Sequence, residues 1–289
     1  MIPAQFEYHA PTSVQDALRL LQTYGGEAKL LAGGHSLLPL MKYRLATPAH
    51  VIDLGRIPDL RFIKTEGDRV EIGAMTTHWM IESSAVLLQR VPLLPETAGQ
   101  IGDLQVRNMG TIGGSLAHAD PAADYPAAAL ALEAELVAEG ARGRRTIAAA
   151  EFFTGLYATA IGADEILIAV RVPVPAARTG TAYRKFPHPA SGFAVVGVAA
   201  VVTLDAQKRC VRCRVGVTGV APVPYRQMTV EGRLAGQVLS AETIANAAEA
   251  AAEGVDVNSD IFASEDYRRH LARVFTKRAL QAAVDRVNG

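Results

Sequence analysis

Two glycine pairs, Gly33-Gly34 and Gly113-Gly114, constrain the fold of this chain more than any other feature. Glycine has no Cβ, so a ligand or another stretch of backbone can approach it closely. The first pair follows an apolar run and precedes Ser36, an N-cap residue type, which predicts a strand-to-helix turn with outward-facing N–H groups. Thr111 and Ser115 flank the second pair. Two such loops together suit a pyrophosphate and hence a dinucleotide, while either loop alone is also typical of a tight turn without a ligand.

The composition excludes several classes of function. The chain has 289 residues, 49% of them hydrophobic, and its 29 Lys+Arg balance its 29 Asp+Glu. This length exceeds a single hydrophobic core, and the balanced charge provides no field that would gather nucleic acid. The N-terminal segment lacks a signal-peptide pattern, and the longest apolar stretch, residues 193–204, is too short to span a bilayer. We therefore expect a cytoplasmic protein without a transmembrane segment that does not bind nucleic acid.

The two cysteines, Cys210 and Cys213, have a C-x-x-C spacing that is also found in metal and redox sites. The alternation of residues around them predicts a strand, in which side chains three positions apart face opposite sides. We therefore expect that the two sulfur atoms cannot share an ion. A structural zinc or an iron–sulfur cluster normally needs four ligands, and the spacing of the seven histidines completes no such set. The sequence thus predicts no metal site.

The order of predicted elements divides the chain into three subdomains of an α+β protein. Residues 1–57 alternate strands and helices, and residues 58–175 contain short strands with helices between them. Residues 176–289 begin with three strands, which we expect to form an antiparallel meander, and end with two helices. This order favours α+β subdomains over one doubly wound sheet.

Local sequence signals predict where three helices lie and where four aromatic side chains are buried. Ser13 is the expected N-cap of the first helix, and Gly25-Gly26 is its expected stop. The last two helices are predicted over residues 241–253 and 265–287. The irregular or helical spacing of four aromatic residues indicates core positions rather than a stacking site. These residues are Trp79, Phe152, Phe153 and Tyr157.

A bound dinucleotide would need a fold other than the two commonest nucleotide-binding folds, because the sequence has the motif of neither. No two glycines are separated by a single residue, so the Rossmann G-x-G-x-x-G pattern is absent, and no lysine directly follows a glycine as in a Walker A loop. Asp120 and Asp124 lie in a proline-containing turn after the second glycine pair, where one carboxylate could hold a ribose hydroxyl. The alternative is that both aspartates cap a helix over residues 126–135.

Four motifs in family order resemble the FAD-binding medium subunits of molybdenum hydroxylases, which include carbon monoxide dehydrogenase and the matching flavin domain of xanthine dehydrogenases. They are Leu-Ala-Gly-Gly-His-Ser-Leu at 31–37, Ile-Gly-Ala-Met-Thr-Thr at 72–77, Arg-Asn-Met-Gly-Thr-Ile-Gly-Gly at 107–114, and Ala-Asp-Pro at 119–121 leading to Asp124. The resemblance covers essentially the whole chain. It implies a two-subdomain FAD-binding fold of the PCMH/vanillyl-alcohol-oxidase type with FAD between the subdomains. A C-terminal subdomain of a small antiparallel sheet and helices is expected to follow.

The resemblance also implies which residues contact FAD. Residues 32–36 and 111–115 would cradle the pyrophosphate, Asp124 would hold polar groups toward the adenosine, and Phe193 would lie near the flavin ring. Ser115 stands where many relatives have asparagine, and Phe193 where some have tyrosine, so one side chain is shorter and the other lacks a hydroxyl. No residue is expected to be catalytic, because the chemistry belongs to the isoalloxazine ring. The implied cofactor-binding residues are Lys29, Ala32, Gly33, Gly34, His35, Ser36, Ile101, Thr111, Ile112, Gly113, Gly114, Ser115, Asp124, Leu167, Lys185 and Phe193.

The function implied by the resemblance is electron transfer within a larger complex. FAD would receive electrons from [2Fe–2S] clusters of a small partner subunit and release them to an external acceptor such as a quinone, NAD or oxygen. A large molybdopterin subunit would oxidise the substrate, and the complex would be a dimer of heterotrimers, active only when assembled. Two alternatives are a non-catalytic assembly subunit of the same fold and a free-standing FAD oxidase.

Two further features each have two interpretations. His35 either shapes the first glycine loop or contacts a phosphate. The basic residues of the last predicted helix either form a solvated face or contact a partner subunit. These basic residues are Arg268, Arg269, Arg273, Lys277 and Arg278.

Overall fold

The structure is a computed structural model that describes residues 2–288. Three sheets follow one another along the chain: a first sheet of three parallel strands, a second of five antiparallel strands and a third of four antiparallel strands. Helices accompany each sheet, so the predicted α+β class is confirmed. The subdomain boundaries at residues 57 and 175 fall between the sheets and stay an interpretation. No helix within residues 2–288 is long and apolar enough to cross a membrane.

The first sheet has the strand order β1-β3-β2 and packs against one amphipathic helix. Its elements are β1 (Glu7–His9), α1 (Val14–Tyr24), β2 (Ala28–Leu31), α2 (Leu37–Lys42) and β3 (His50–Asp53). The Ser13 side chain accepts a hydrogen bond from the Asp16 backbone N–H at 3.1 Å and so begins α1. Gly25, with a φ of 51°, donates its N–H to Leu21 and ends the helix. Both predicted helix boundaries are confirmed.

The second sheet has the strand order β4-β5-β10-β6-β7, and most of the short helices lie between β5 and β6. A two-stranded ribbon, β8 with β9, lies beside it. The strands and helices of this part are β4 (Ile63–Glu66), β5 (Arg69–Gly73), α3 (His78–Glu82), α4 (Ala85–Arg90), α5 (Leu93–Ala98), α6 (Leu104–Met109), α7 (Ile112–His118), α8 (Tyr125–Ala131), β6 (Glu135–Gly140), β7 (Gly143–Ala148), α9 (Ala149–Phe152), β8 (Phe153–Gly155), β9 (Ala158–Thr159) and β10 (Glu165–Pro173).

The third sheet is the predicted antiparallel meander, and it is buried on both faces. Its elements are β11 (Thr179–Pro187), β12 (Ala194–Leu204), β13 (Cys210–Thr218), β14 (Tyr225–Arg226), α10 (Met228–Leu234), α11 (Ala241–Ala248) and α12 (Glu265–Asn288). In β12, Ala199 and Val201 join the core of the second part of the chain, whereas Val198 and Ala200 join the core beneath α10–α12. Successive strand residues point to opposite faces, so burial on both faces explains why this strand is apolar at nearly every position.

Cys210 and Cys213 face the same side of the third sheet, contrary to our prediction. β13 contains one extra residue, Val211, opposite the step from Thr203 to Leu204. Such a β-bulge resets the alternation of the strand, so both cysteines are buried and their thiols hydrogen-bond to each other. Among the described residues, no third metal-ligating side chain joins them.

Two predicted side-chain environments also differ from the structure. Trp79 is 48% exposed and is not a core residue, because the short helix α3 buries His78 and Ile81 instead. Arg268 is not on a solvated face: it is buried and donates hydrogen bonds to the carbonyl groups of Val195 and Gly219, each at 2.7 Å. The helix predicted over residues 241–253 ends at Ala248 and continues as turns.

We predict that Gly216→Ala lowers the free energy of unfolding by about 1–3 kcal/mol, because overpacking strains a close-packed interior. A Cβ at Gly216 would overlap the carbonyl oxygen of Ala127 and lie 2.9 Å from its carbonyl carbon, where α8 packs on β13. The matched control is Gly232→Ala in α10, where a Cβ would meet nothing within 4 Å. This substitution should raise the free energy of unfolding by about 0.5–1 kcal/mol. Urea denaturation measures both changes. If Gly216→Ala has the same free energy of unfolding as wild type, the proposed packing is contradicted.

Candidate functional site

A cleft of about 610 Å³ lies where segments from all three parts of the chain meet. The turn after β2 forms one wall, the segments before α6 and α7 and around β10 form another, and residues 191–193 of the third part close one end. Most residues that the sequence analysis identified line this cleft. They are Lys29, Ala32, Gly33, Gly34, His35, Ser36, Ile101, Thr111, Gly113, Gly114, Ser115, Asp124, Leu167 and Phe193.

Two of the identified residues lie behind the cleft wall rather than on it. Ile112 is 1% exposed and belongs to the hydrophobic core of the second part of the chain. The Lys185 side chain is 1% exposed and contacts the cleft only through Asp124, with which it forms an ion pair. Ile112 packs in the core and Lys185 supports Asp124 electrostatically, and the expected contact of either residue with the cofactor stays a prediction.

The first glycine loop is the predicted strand-to-helix turn, and it has free backbone donors. β2 ends at Leu31 and α2 begins at Leu37. Within the part of the chain that the structure describes, the backbone N–H groups of residues 33–36 have no hydrogen-bond acceptor. Ser36 occupies the N-cap position but its side chain makes no capping bond. The loop thus presents several unpaired donors on the cleft wall, as anion sites do.

His35 shapes this loop through its own backbone. Its Nδ1 lies 2.9 Å from the carbonyl oxygen of Gly33. A carbonyl can only accept, so Nδ1 carries the proton of this hydrogen bond and Nε2 of the neutral ring is left as an acceptor. This hydrogen bond fits the loop-shaping interpretation of His35, and a contact of His35 with a phosphate stays a prediction.

The glycine pairs allow the two loops to contact each other directly. A Cβ at Gly33 would overlap the carbonyl oxygen of Met109 and lie 2.7 Å from Gly110 Cα. A Cβ at Gly114 would lie 3.2 Å from Ala32 Cβ, which belongs to the first loop. Gly33 thus allows the backbone of the two loops to approach closely, and Gly114 leaves room for the Ala32 side chain, so the loops lie side by side along the cleft.

The backbone N–H groups of residues 112–115 in the second glycine loop are not free, in contrast to our prediction. Its amides are used within the chain, where they fix the start of α7 against the segment that follows β5. The bonds run from Ile112 N to Thr76 O at 3.1 Å, Gly113 N to Ala74 O at 2.9 Å, Gly114 N to Thr111 Oγ1 at 3.1 Å, and Ser115 N to Thr111 O at 3.0 Å. This loop offers the cleft a close backbone surface and the Ser115 hydroxyl.

Asp124 is the centre of a buried polar cluster beneath the cleft. Its carboxylate accepts hydrogen bonds from Tyr183 Oη at 2.5 Å and Lys185 Nζ at 2.9 Å, and Lys185 also donates to the Gln100 carbonyl at 2.9 Å. Burial raises the pKa of Asp124, while the Lys185 charge and the two hydrogen bonds oppose that rise. The capping alternative for Asp124 is wrong, because its side chain makes no capping bond to α8.

Several cleft residues were not identified as site residues from the sequence, among them His78, His118 and Tyr157. Tyr157 was predicted to lie in the core, but its side chain is 54% exposed. His78 is 4% exposed, its Nδ1 has no hydrogen-bond partner, and burial lowers its pKa to about 4. The rings of His118 and Tyr157 lie 5.1 Å apart, and burial lowers the pKa of His118. His78 directly follows the motif at 72–77, which was the one local signal for it.

The cleft is equipped for binding rather than for acid–base catalysis. Its three carboxylates already accept hydrogen bonds: Asp124 from Tyr183 and Lys185, Glu165 from Arg145 and Gly162, and Asp120 from Ala122. The rest of the cleft surface consists of the free amides of residues 33–36, a few hydroxyl groups, the imidazole rings of three histidines and apolar side chains. Such a mixture suits an extended ligand with an anionic centre and planar ends.

Comparisons with known proteins agree with this chemistry. Residues 4–175 match the family described as "FAD binding domain in molybdopterin dehydrogenase", and residues 181–283 match "CO dehydrogenase flavoprotein C-terminal domain". The carbon monoxide dehydrogenase medium chain of Hydrogenophaga pseudoflava is 46% identical over 283 residues, which cover 98% of each chain. The 6-hydroxypseudooxynicotine dehydrogenase complex subunit alpha of Paenarthrobacter nicotinovorans is 38% identical, over 99% of this chain and 97% of that one.

The fold agrees as well. A solved structure of carbon monoxide dehydrogenase from Hydrogenophaga pseudoflava that lacks the Mo-pyranopterin moiety superimposes with a TM-score of 0.96. The identity is 46%, and 99% of each chain is covered. All four sequence motifs lie within the first matched range, residues 4–175. The chain therefore belongs to the family of FAD-binding medium subunits of molybdenum hydroxylases.

Proposed function

We propose that the pyrophosphate of FAD lies against the first glycine loop, where the N–H groups of residues 33–36 donate to its oxygens. The observation that carries this proposal is the set of unpaired amides on a loop that lines the cleft. Thr111, Gly113, Gly114 and Ser115 lie on the facing loop and contribute close backbone surface and the Ser115 hydroxyl. Diphosphates are typically bound by such backbone donors.

The remaining cleft residues fit the two ends of FAD. Bound FAD supplies an isoalloxazine ring that accepts and releases electrons. Phe193 is 44% exposed at the mouth and offers an aromatic face, and Ile101 and Leu167 provide apolar wall for a planar ring. Asp124 is held in place by Lys185 and Tyr183, and its oxygens retain lone pairs for polar groups of the adenosine. Lys29 lies exposed at the edge of the cleft.

We further propose that this subunit transfers electrons between partner subunits and an external acceptor such as a quinone, NAD or oxygen. The chain has only two cysteines, both of them buried free thiols, so it cannot supply the four thiolates of a [2Fe–2S] cluster. A small iron–sulfur subunit would hold the clusters, and a large molybdopterin subunit would oxidise the substrate. A dimer of heterotrimers and a cytoplasmic location remain predictions from the resemblance and the sequence.

Substrate selection is expected to lie outside this chain. The relatives of similar length act, by their names, on molecules as different as carbon monoxide and 6-hydroxypseudooxynicotine. The carboxylates of the cleft also accept hydrogen bonds from within the chain, so none of them is free to act as a general base for substrate oxidation. Both observations favour an electron-transfer role over that of a free-standing oxidase.

Anaerobic reduction of the purified complex distinguishes the three candidate functions. We expect the substrate to bleach the flavin absorbance of the complete complex and to leave the isolated FAD-loaded chain unchanged. Bleaching of the isolated chain by substrate would instead indicate a free-standing oxidase. Full substrate-to-acceptor activity of a complex that contains no FAD would indicate an assembly subunit.

We predict that Ser36→Glu weakens FAD binding by at least about tenfold, because a carboxylate would lie beside the diphosphate and like charges in contact repel strongly. An acidic residue is tolerated at a helix start, so the variant should fold. Ser259→Glu carries the same charge change at an exposed position outside the cleft and is the matched control. Flavin per chain in the purified complex measures the effect. Equal flavin content in both variants would refute the proposed position of the diphosphate.

We predict that His78 makes the fold sensitive to acid. Its pKa is about 4 in the folded chain, against 6.5 for an ordinary histidine. Between these values the unfolded chain binds a proton that the folded chain does not, so stability is lost as the pH falls through this window. Wild type should lose about 2–3 kcal/mol more than His78→Asn between about pH 7 and pH 4. The control is His270→Asn, at an exposed histidine, whose free energy of unfolding should change with pH as that of wild type does. Urea denaturation across the same pH range measures these free energies. If His78→Asn loses as much stability as wild type over this range, the prediction is contradicted.

A further inference from the structure

Two imidazoles and a carboxylate meet on the first sheet, away from the cofactor cleft. β1 and β3 are parallel neighbours, and Glu7 lies directly opposite His50. His9 is two residues beyond Glu7, so its side chain is on the same face of β1. None of the three residues lines the cleft. Sequence reasoning missed this group because His9 and His50 are far apart in the chain and only the parallel pairing brings them together.

The three donor atoms have the spacing of ligands around one metal ion. His9 Nε2 lies 3.2 Å from His50 Nδ1, Glu7 Oε2 lies 3.5 Å from His50 Nδ1, and Glu7 Oε2 lies 4.0 Å from His9 Nε2. Tetrahedral ligands with metal–nitrogen bonds of 2.0–2.1 Å stand about 3.3 Å apart. The longest of the three distances involves Glu7, whose side chain is 72% exposed and can rotate inward.

Tyr24 holds the imidazole rings in place. Its ring, at the end of α1, stacks on His50 with 3.7 Å between centroids and on His9 with 5.0 Å between centroids. The side chains of His9 and His50 are only 19% and 14% exposed. Because packing fixes both rings before any ion arrives, binding would cost little side-chain entropy.

We propose that Glu7, His9 and His50 form a binding site for one divalent transition-metal ion of the zinc class. Imidazole nitrogen and carboxylate oxygen are both ligands of Zn²⁺, and two histidines with one glutamate leave the fourth tetrahedral position open to water. The hydrogen-bonding proton between the two rings moves to the outer nitrogen of its imidazole when the ion binds both facing nitrogens. The ion ties β1 to β3 and stabilises the N-terminal strand.

Zinc titration of the tag-free full-length chain, stripped with a chelator, tests this site. We expect one Zn²⁺ per chain by calorimetry, and Co²⁺ in its place should give the visible absorption of a tetrahedral ion. His9→Gln and His50→Gln should each weaken Zn²⁺ binding by at least about tenfold. Glu7→Gln should weaken it to a smaller extent, and since that side chain is exposed the variant keeps its fold.

His270→Gln, at an exposed histidine of α12, is the control and should bind Zn²⁺ as wild type does. Zn²⁺ should also raise the melting temperature of wild type and of His270→Gln but not that of His50→Gln. The proposal is overturned if wild type binds no stoichiometric Zn²⁺. It is equally overturned if Glu7→Gln, His9→Gln and His50→Gln bind as tightly as wild type, or if His270→Gln is weakened to the same extent, since binding would then be adventitious.

Discussion

The close approach of two backbone loops is the constraint on which the rest of the cleft depends. Gly33 leaves no room for a Cβ beside Met109 and Gly110, and Gly114 lies against Ala32 of the first loop. Any larger residue at Gly33 would separate the first sheet from the segments that precede α7. The contact between the two glycine loops therefore forms the cleft wall without any ligand. The backbone N–H groups of residues 33–36 are free, whereas those of residues 112–115 are bonded within the chain, so most of the free amides lie on the first loop.

A second constraint positions the third sheet at the end of the cleft. β12 is buried on both faces, with one face against α8 and the core of the second part of the chain. The Asp124–Lys185 ion pair and the Tyr183 hydroxyl cross the same boundary, and breaking such a buried pair usually costs several kcal/mol. Together these contacts fix the start of β12, and hence Phe193, at the cleft mouth. Lys185 itself lies behind the cleft wall and is paired with Asp124.

Much of the fold could be predicted from local signals. The Ser13 cap and Gly25 stop define α1, and the apolar alternation defines the three long strands of the meander, because in these places local preference and tertiary packing agree. The motifs also identified the two glycine loops and Asp124, which line the cleft. The rest depended on contacts between distant segments. The bulge at Val211 that turns both cysteines to one side, the use of the second loop's amides by Thr76 and Ala74, and the outward position of Trp79 have no local signal.

Hydrogen–deuterium exchange of the complex, with FAD bound and after its removal, measures the role of the first loop most directly. Amides without a partner exchange quickly, and hydrogen bonds to a diphosphate would slow them. We expect FAD to protect residues 33–36 strongly and to change residues 112–115 little, because the amides of those residues are already bonded within the chain. Unchanged exchange at residues 33–36 in the FAD-loaded complex would contradict the proposed binding of the pyrophosphate.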